Sequence, residues 1–304
     1  MLKLTAIILT FNEERHIARA INSLHGIADK VLVVDSESTD RTRQIAEDLG
    51  ATILCHPFVT QAKQFNWALS QLPSDTDWVF RLDADEIVSP SLREQIVQLL
   101  SAPHHDFKGF TVNRRMTFLG RIIRHGGVFP VKVLRIFRYG YGTCEDRWMD
   151  EHIVVSGNVH NLTGEILDDN LNSLSWWTQK HNTYSSREVV DLVHSKFGLK
   201  SEEKLSLGRG QAGIKRWLKE KIYLNFPIGF RAAIYFFYRY LFRLGFLDGF
   251  EGLAFHFLQG FWYRFLVDAK MTEVCKKIET CRCSPSDAIE DILGIDVSER
   301  GASN

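Results

Sequence analysis

Two aspartates separated by one residue, Asp83 and Asp85, directly follow the mostly apolar stretch Trp78–Leu82. A stretch of this kind predicts a buried strand, and both carboxylates would emerge from its carboxyl end. Carboxylate oxygens are the ligands that Mg²⁺ and Mn²⁺ take in proteins. A cation held there would neutralise charge on a departing diphosphate. Acidic loops are often plain solvated surface, but the position after a strand favours a metal site at this pair.

Two earlier segments carry polar residues at the same kind of position. The apolar, β-branched stretch Leu4–Thr10 predicts a buried strand, with Asn12 and Glu14 just beyond it. Lys30–Asp35 predicts a second strand, which ends in an aspartate. Between and after these strands the sequence predicts helices at Glu13–Leu24, Asp40–Leu49 and Thr60–Leu72, and a further strand at Ala51–Cys55.

Strands that alternate with helices predict a parallel sheet built from right-handed crossovers. Ligands of such sheets bind beyond the carboxyl ends of the strands. We therefore expect the polar residues at the three strand ends to converge on one crevice. These residues are Thr10, Asn12 and Glu14, then Asp35–Asp40, then Asp83, Asp85 and Glu86.

The pattern changes after about residue 108. Short strands with glycine turns are predicted at Gly109–Val112, Val133–Phe137 and His152–Val155, as a smaller mixed half of the sheet. From Leu174 onward the chain is predicted to be helical. The sequence thus predicts a catalytic region at 1–170 and a helical, aromatic-rich region at 171–304.

Three stretches, in this order, resemble the successive motifs of family 2 glycosyltransferases with the GT-A fold: Thr5–Glu14, Val33–Asp40 and Leu82–Glu86. The stretch Lys63–Leu69 is most similar to its counterpart in bacterial lipopolysaccharide-core β-1,4-glucosyltransferases. The resemblance covers about residues 4–155 and, more loosely, Gly245–Gly249. It implies an α/β, GT-A (Rossmann-like) fold with a mixed, mainly parallel sheet and a C-terminal helical segment.

The resemblance also implies an inverting transfer of a sugar from a nucleoside diphosphate donor, most often a UDP-sugar. The acceptor would be a bacterial surface glycan or glycolipid, such as lipopolysaccharide core or an exopolysaccharide. By motif, Asp35 would hydrogen-bond the nucleobase or the ribose, and Thr10, Asn12 and Glu14 would line the same pocket. For Asn12, a role in forming the turn is equally expected.

In the metal motif, the resemblance implies that Asp85 coordinates Mg²⁺ or Mn²⁺, while Asp83 holds the ribose or a metal-bound water. The second motif departs from the family pattern, because Ser36 and Glu37 stand where Asp-Gly is frequent. Without glycine the chain lacks a residue that adopts positive φ easily, which leaves the geometry of this loop open.

Inverting transfer also needs a carboxylate that takes the proton of the acceptor hydroxyl. The acidic cluster at 145–152 is the one dense candidate outside the metal motif. The glucosyltransferase-like relatives carry a glutamate at the position of Glu151, which makes it the first choice, followed by Asp150 and then Asp146. A solvated acidic turn is the alternative interpretation of this cluster.

The C-terminal region combines basic and aromatic residues. Eight Lys/Arg face one acid between Arg209 and Arg243, and 17 of the 36 aromatic residues lie between Tyr223 and Phe265. The longest stretch without a charged residue has 12 residues, too short to span a bilayer. On a regular helix Arg231, Arg239 and Arg243 would share one face, as expected beside an anionic membrane surface. A packed helical subdomain is the alternative.

The overall composition limits the possible binding partners and the cellular location of the protein. The net charge is zero, with 37 basic and 37 acidic residues, so no binding of nucleic acid is expected. Five scattered cysteines form no disulfide framework, and no export signal is apparent, so we expect a cytoplasmic protein, peripheral on the inner membrane.

Two other functions share some of these features. A sugar nucleotidyltransferase would have a similar α/β layout and an acidic metal site. It would normally carry a glycine-rich, basic loop after the first strand, whereas Thr10–Glu14 is acidic. A non-catalytic membrane-associated scaffold would have no need of Asp35, Asp83, Asp85 and Glu151.

Overall fold

A computed structural model describes residues 2–101, 106–145, 151–197 and 229–297. The chain divides into two compact units, Met1–Ser173 and Leu174–Asn304. Several residues that the sequence singled out lie outside the described part. These residues are Asp146, Asp150, Arg209, Lys215, Arg216, Lys219 and Lys221.

The first unit contains a nine-stranded sheet in which β3, β2, β1 and β4 pair in parallel. The full order is β3-β2-β1-β4-β8-β6-β11-β5, with β7 beside β6, and β9 pairs with β10 separately. The strands are β1 (Leu4–Thr10), β2 (Lys30–Asp35), β3 (Thr52–Cys55), β4 (Trp78–Arg81), β5 (Glu86–Val88), β6 (Phe107–Phe118), β7 (Arg121–Ile123), β8 (Val131–Arg138), β9 (Gly142–Cys144), β10 (Ile153–Val155) and β11 (Asn158–Asp168).

Four helices accompany this sheet: α1 (Ile17–Ser23), α2 (Thr42–Asp48), α3 (Gln61–Ser70) and α4 (Pro90–Ser101). The first begins four residues later than predicted, because Glu13–His16 forms a turn before the helix; Glu13 O accepts the N–H of His16 and of Ile17. Helix α3 begins after Thr60, whose hydroxyl accepts the Lys63 N–H at 3.1 Å, as an N-cap residue does.

Buried apolar side chains form two clusters in this unit. One contains Ile8, Val33, Phe80 and residues of α1 and α4. The other contains Ile7, Val34, Val79 and residues of α3. Adjacent residues of one strand thus fall in different clusters, which means that the parallel strands are buried on both faces.

The second unit is helical: α5 (Leu174–Lys196), α6 (Phe230–Phe237), α7 (Gly249–Phe255), α8 (Tyr263–Cys281) and α9 (Pro285–Leu293). Two π-helical turns, Tyr238–Phe242 and His256–Trp262, and a 3₁₀ turn, Gly245–Asp248, interrupt the middle of this unit. Among the described residues no helix is both long and apolar enough to cross a membrane.

The expectation that Arg231, Arg239 and Arg243 form one exposed basic face was wrong. Arg231 pairs with the buried Asp268 of α8, with Nε 2.7 Å from Oδ2. Arg239 is buried and donates to Gln259 Oε1 at 3.1 Å. Of the three, Arg243 alone is exposed. The π-helical turn after Phe237 breaks the 3.6-residue period on which the prediction relied.

Candidate active site

The carboxyl ends of β1 and β2 place Thr10 beside Asp35, because these two residues are partners in the parallel ladder. Asp35 is fully buried, and its Oδ2 accepts the hydroxyls of Thr10 at 2.8 Å and of Ser38 at 2.5 Å. Its Oδ1 accepts the Ser38 N–H at 2.8 Å and lies 3.7 Å from Arg43 Nε. A carboxylate has about four acceptor sites, so one site remains on Oδ1, which has no exposed surface in this structure.

Asn12 and Glu14 join the β1 loop to the β2 loop. The Asn12 N–H donates to Ser38 Oγ at 2.8 Å, and Asn12 Oδ1 accepts the Thr39 N–H at 2.9 Å. Asn12 has a φ of 56°, a conformation that asparagine tolerates better than most residues. Glu14 Oε2 accepts the N–H of Arg41 at 3.3 Å, and the Glu14 N–H donates to Asp40 at 3.1 Å. Both residues therefore have a defined structural role beside the one predicted.

Glu37 occupies the position where the sequence lacked an expected glycine. Its φ is 62°, so the loop keeps the left-handed conformation without a glycine. The side chain is exposed, while Ser36 and Ser38 on either side are buried. Ser36 Oγ accepts Gln64 Nε2 of α3 at 2.6 Å, which anchors the loop from the helix side. The loop therefore adopts a positive φ at this position although no glycine is present.

Asp83 lies at the end of β4 between two arginines. Its Oδ2 is 2.7 Å from Arg135 of β8, and its Oδ1 is 3.5 Å from Arg81. Burial alone would raise the pKa of Asp83, but the charges of Arg135 and Arg81 outweigh burial and hold that pKa well below its usual range. The buried Glu86 also accepts Arg135 at 2.5 Å, yet burial raises the pKa of Glu86 to about 7. Asp83 is thus the ionised partner of the two.

Asp85 is contacted by the segment that follows β11. Asn170 Nδ2 donates to Asp85 Oδ2 at 2.9 Å, and the Asp169 N–H donates to the Asp85 carbonyl at 2.9 Å. Arg19 of α1 fixes this segment, with one guanidinium nitrogen 2.6 Å from Asp169 Oδ2. Within the described residues Asp85 Oδ1 accepts no hydrogen bond, so this oxygen is available to a ligand.

Asp168, the last residue of β11, is the fourth carboxyl group of this cluster. It is the ladder partner of Glu86, and Arg114 Nε lies 4.0 Å from its Oδ2. Burial raises the pKa of Asp168 to about 8, and the nearby charge of Asp85 adds to that shift. The cluster therefore holds four carboxyl groups near three arginines, and two of the four, Glu86 and Asp168, titrate near or above neutrality chiefly because they are buried.

The carboxylate oxygens at this sheet edge make the cluster suitable for a divalent cation shared with a diphosphate. Mg²⁺ in proteins is commonly held by one or two carboxylates together with substrate phosphates. Among the described residues no group of three or more His, Cys, Asp or Glu side chains is arranged to hold a metal ion. The chain thus offers Asp85 Oδ1 as an oxygen ligand, and phosphate oxygens would supply others.

Asp168→Asn should reduce the pH dependence of stability in metal-free protein. A carboxyl with a folded pKa of about 8 and an ordinary unfolded pKa of about 4 binds more protons when folded, so the free energy of unfolding falls as pH rises through that window. Urea unfolding at pH 5 and pH 8 in chelator should show a smaller difference for the variant. An unchanged difference would place the titration elsewhere.

Glu151 lies at the start of the segment leading into β10, across from β9. The Glu145 N–H donates to the His152 carbonyl at 3.0 Å and closes the loop between these strands. Burial raises the pKa of the Cys144 thiol, Arg81 opposes that shift, and the charge of Glu151 adds to it. Glu151 is therefore near Cys144, whose sulfur lies 3.7 Å from the Arg81 that pairs with Asp83.

Helix α3 holds β9 in place through one side chain. Asn66 donates to the Cys144 carbonyl at 2.8 Å and accepts the Cys144 N–H at 2.9 Å. The stretch Lys63–Leu69, which resembles its counterpart in the glucosyltransferases, thus has two contacts. Gln64 anchors the loop after β2, and Asn66 anchors strand β9, which precedes Glu151 in the chain.

Sequence reasoning missed four residues of the cluster: Arg81, Glu86 as a titrating group, Arg135 as its partner, and Asp168. Arg81 stands in an otherwise apolar stretch, which is a signal for a buried charge with a partner. Arg135 likewise interrupts the apolar stretch of β8. No local pattern marks Asp168, because its neighbours in the sheet come from strands more than 50 residues away.

Comparisons with known proteins identify the family of this chain. A lipopolysaccharide core biosynthesis glycosyltransferase, LpsC, of Rhizobium meliloti is 33% identical over 201 residues, covering 64% of this chain and 73% of the relative. An uncharacterized glycosyltransferase of Rickettsia typhi is 29% identical over 290 residues, covering 91% of this chain and 89% of the relative.

Among solved structures, glucosyl-3-phosphoglycerate synthase from Mycobacterium tuberculosis, in complex with Mn²⁺ and UDP, overlaps with 38% of this chain and 44% of its own, at 23% identity and a TM-score of 0.32. An overlap of this size carries no argument about substrate. The model of the family "Glycosyl transferase family 2" matches residues 5–159, slightly more than half of the sequence. The chain belongs to glycosyl transferase family 2 and is a glycosyltransferase.

Proposed function

We propose that this glycosyltransferase moves a sugar with inversion from a nucleoside diphosphate donor, with UDP as the nucleotide, to a bacterial surface glycan. The observation that carries the proposal is the acidic cluster around Asp85 at the carboxyl edge of the sheet. The carboxylates of Asp83 and Asp85 would face the donor's diphosphate, and the oxygen that Asp85 has available supports a cation between them as part of the donor site.

The nucleoside would bind beside the ends of β1 and β2. Asp35 has an acceptor site left on Oδ1, which suits a ribose hydroxyl or a base N–H. Thr10 holds that carboxylate in place, and Asn12 and Glu14 shape the adjoining loop. In this arrangement Thr10, Asn12 and Glu14 orient the pocket, and Asp35 makes the polar contact to the nucleoside.

Asp85 would hold Mg²⁺ or Mn²⁺ through its available oxygen, and Asp83 would hold the ribose or a metal-bound water. When bound, the cation supplies Lewis-acid stabilisation of the departing diphosphate. Arg135 keeps Asp83 ionised and fixed, because it bridges Asp83 and the buried Glu86. The chain's own residues thus orient the donor and hold its diphosphate against the sheet edge.

Glu151 would remove the proton from the acceptor hydroxyl as that oxygen attacks the anomeric carbon. In support of this role, Glu151 lies just before β10, and Cys144 of the paired strand β9 lies 3.7 Å from the Arg81 beside Asp83. An acceptor entering beside Glu151 would meet the face of the sugar opposite the diphosphate, as inversion requires.

The proposed class of acceptor rests on the name of one relative. LpsC is named for lipopolysaccharide core biosynthesis, which supports lipopolysaccharide core as the first acceptor to test and an exopolysaccharide unit as the second. We also propose that the enzyme works at the cytoplasmic face of the inner membrane, against the anionic membrane surface.

The test is a panel of nucleoside diphosphate sugars with Mn²⁺ and lipopolysaccharide core acceptors truncated at successive sugars. We expect one donor to release nucleoside diphosphate faster with one acceptor than with water alone. Proton NMR of the product from an α-linked donor should show a β-linked sugar. An α-linked product would contradict inversion, and acceptor-independent release with every donor would contradict the acceptor class.

A further inference from the structure

The stretch 229–265 in the second unit, here called the aromatic segment, has an unusual surface. Of the 25 large apolar side chains that the described part of the chain exposes, 13 lie in this segment of 37 residues. These are Phe230, Ile234, Phe237, Tyr238, Leu241, Phe242, Leu244, Phe246, Leu247, Phe250, Leu253, Phe257 and Phe265. Single exposed apolar residues are normal on a soluble protein, but a concentration of this kind marks an interaction surface.

Most charged side chains of the same segment are ion-paired or buried. Arg231 is ion-paired with Asp268, and Arg264 is 2.9 Å from Glu188 of α5. Arg239 and Asp248 are buried, and Tyr235 and Phe255 lie within 5.5 Å of the Arg239 guanidinium carbon. Of the six Asp, Glu, Lys and Arg side chains in the segment, Arg243 alone is strongly exposed. A surface on which apolar side chains are exposed while most charged side chains are buried or paired is the reverse of the usual surface of a soluble protein.

The backbone of the segment presents these apolar side chains at bends. Phe242, 78% exposed, ends a π-helical turn, and Phe250, 71% exposed, lies in the first turn of α7. Between them the 3₁₀ turn exposes Phe246 and Leu247. The described helices of this segment are short and interrupted. The segment can therefore insert partway into an apolar layer, and none of these helices is long enough to span it.

A lipid bilayer fits this surface better than a second copy of the chain does. Protein–protein interfaces combine an apolar centre with a polar, charged rim, whereas this segment exposes almost no charge. Aromatic side chains are enriched where proteins meet the membrane interface. The preceding sequence, Arg209–Lys221, carries five Lys/Arg and one acid, which complements anionic headgroups.

We propose that the aromatic segment inserts into one leaflet of a phospholipid bilayer, driven by burial of its exposed apolar side chains. Arg231 and Arg239 then stabilise the segment from inside through Asp268 and Gln259, and do not contact lipid. Insertion of this kind depends little on salt, because it removes apolar area from water and does not rely on attraction between exposed charges. The inference concerns membrane binding alone and is independent of the transfer reaction.

The test is co-sedimentation of the full chain with neutral phosphatidylcholine vesicles at high salt, without donor or acceptor. The wild type should bind. Burying one phenylalanine ring corresponds to about a tenfold to hundredfold gain in partitioning into the bilayer. The double variant Phe242→Glu/Phe250→Glu should therefore lower vesicle binding by about 100-fold or more. Both rings are largely exposed, so the fold should survive; Phe242→Ser with Phe250→Ser provides a milder second variant.

Two controls distinguish insertion from surface attraction and from self-association. Val97→Glu, at an exposed apolar residue of α4 in the first unit, should leave binding unchanged, and Arg243→Gln should change binding to neutral vesicles less than twofold. Wild-type binding that needs anionic lipid and disappears at high salt would overturn the proposal in favour of surface attraction. A wild-type dimer that ignores vesicles and is dissociated by Phe242→Glu would overturn it in favour of a second copy. Neither result would bear on donor binding.

Discussion

Asp85→Asn should reduce transfer by about three orders of magnitude while the protein stays folded. Loss of a metal-binding carboxylate removes several kcal/mol of stabilisation of the departing diphosphate, and about 1.4 kcal/mol corresponds to a factor of ten. An amide at this position keeps an oxygen for the hydrogen bond from Asn170, so the local structure should persist. Steady-state release of nucleoside diphosphate, measured at saturating Mn²⁺, checks this prediction.

Asp75→Asn is a matched control for that variant. Asp75 precedes β4 at the amino end of the strand, whereas Asp85 follows its carboxyl end, and Asp75 pairs with Lys3 on the surface. We expect nearly unchanged transfer in Asp75→Asn, because a surface ion pair contributes little. If Asp85→Asn also retained transfer, the acidic cluster would not be the donor site.

Glu151→Gln should lower transfer by a factor on the order of 10²–10⁴ and leave donor binding unchanged. The substitution removes the proton acceptor but keeps the size and shape of the side chain. Because the nucleotide would be held by Asp35 and the cluster around Asp85, its affinity should not depend on Glu151. Turnover and nucleotide binding, measured on the same preparation, separate the two effects.

The neighbouring acids decide whether Glu151 is the right carboxylate. Glu145→Gln is the control from the other end of the same loop and should retain most activity. Asp150→Asn and Asp146→Asn should also retain it. Retained turnover in Glu151→Gln together with loss in one of these two variants would transfer the role of base to that aspartate.

The sheet and the strand ends were predictable because their signals are local. Continuous apolar stretches marked β1, β2 and β4, and the alternation with helices gave the parallel order that brings Thr10 beside Asp35. The predicted mixed, mainly parallel α/β fold class and the family are confirmed. The roles of the individual site residues stay predictions, for which the variants above are the tests.

The remainder of the site depends on pairings that no local pattern encodes. Arg135 meets Asp83 because β8 lies antiparallel to β4, and Asp168 faces Glu86 because β11 returns beside β5. No spacing in the sequence indicates either neighbour. The prediction for the arginines of the aromatic segment failed for a related reason, since Arg231 finds its partner, Asp268, 37 residues away on α8. Partners that are distant in the chain decide which face of a helix is buried.

Titration calorimetry of UDP binding, in Mn²⁺ and in chelator, tests most directly the central claim that the acidic cluster is a metal-assisted site for a nucleoside diphosphate. The carboxylates of Asp83 and Asp85 should repel the diphosphate unless a cation lies between them. We therefore expect binding in Mn²⁺, a loss of at least about tenfold in chelator, and no gain from Mn²⁺ in Asp85→Asn. Equal UDP affinity with and without chelator in the wild type would contradict the claim.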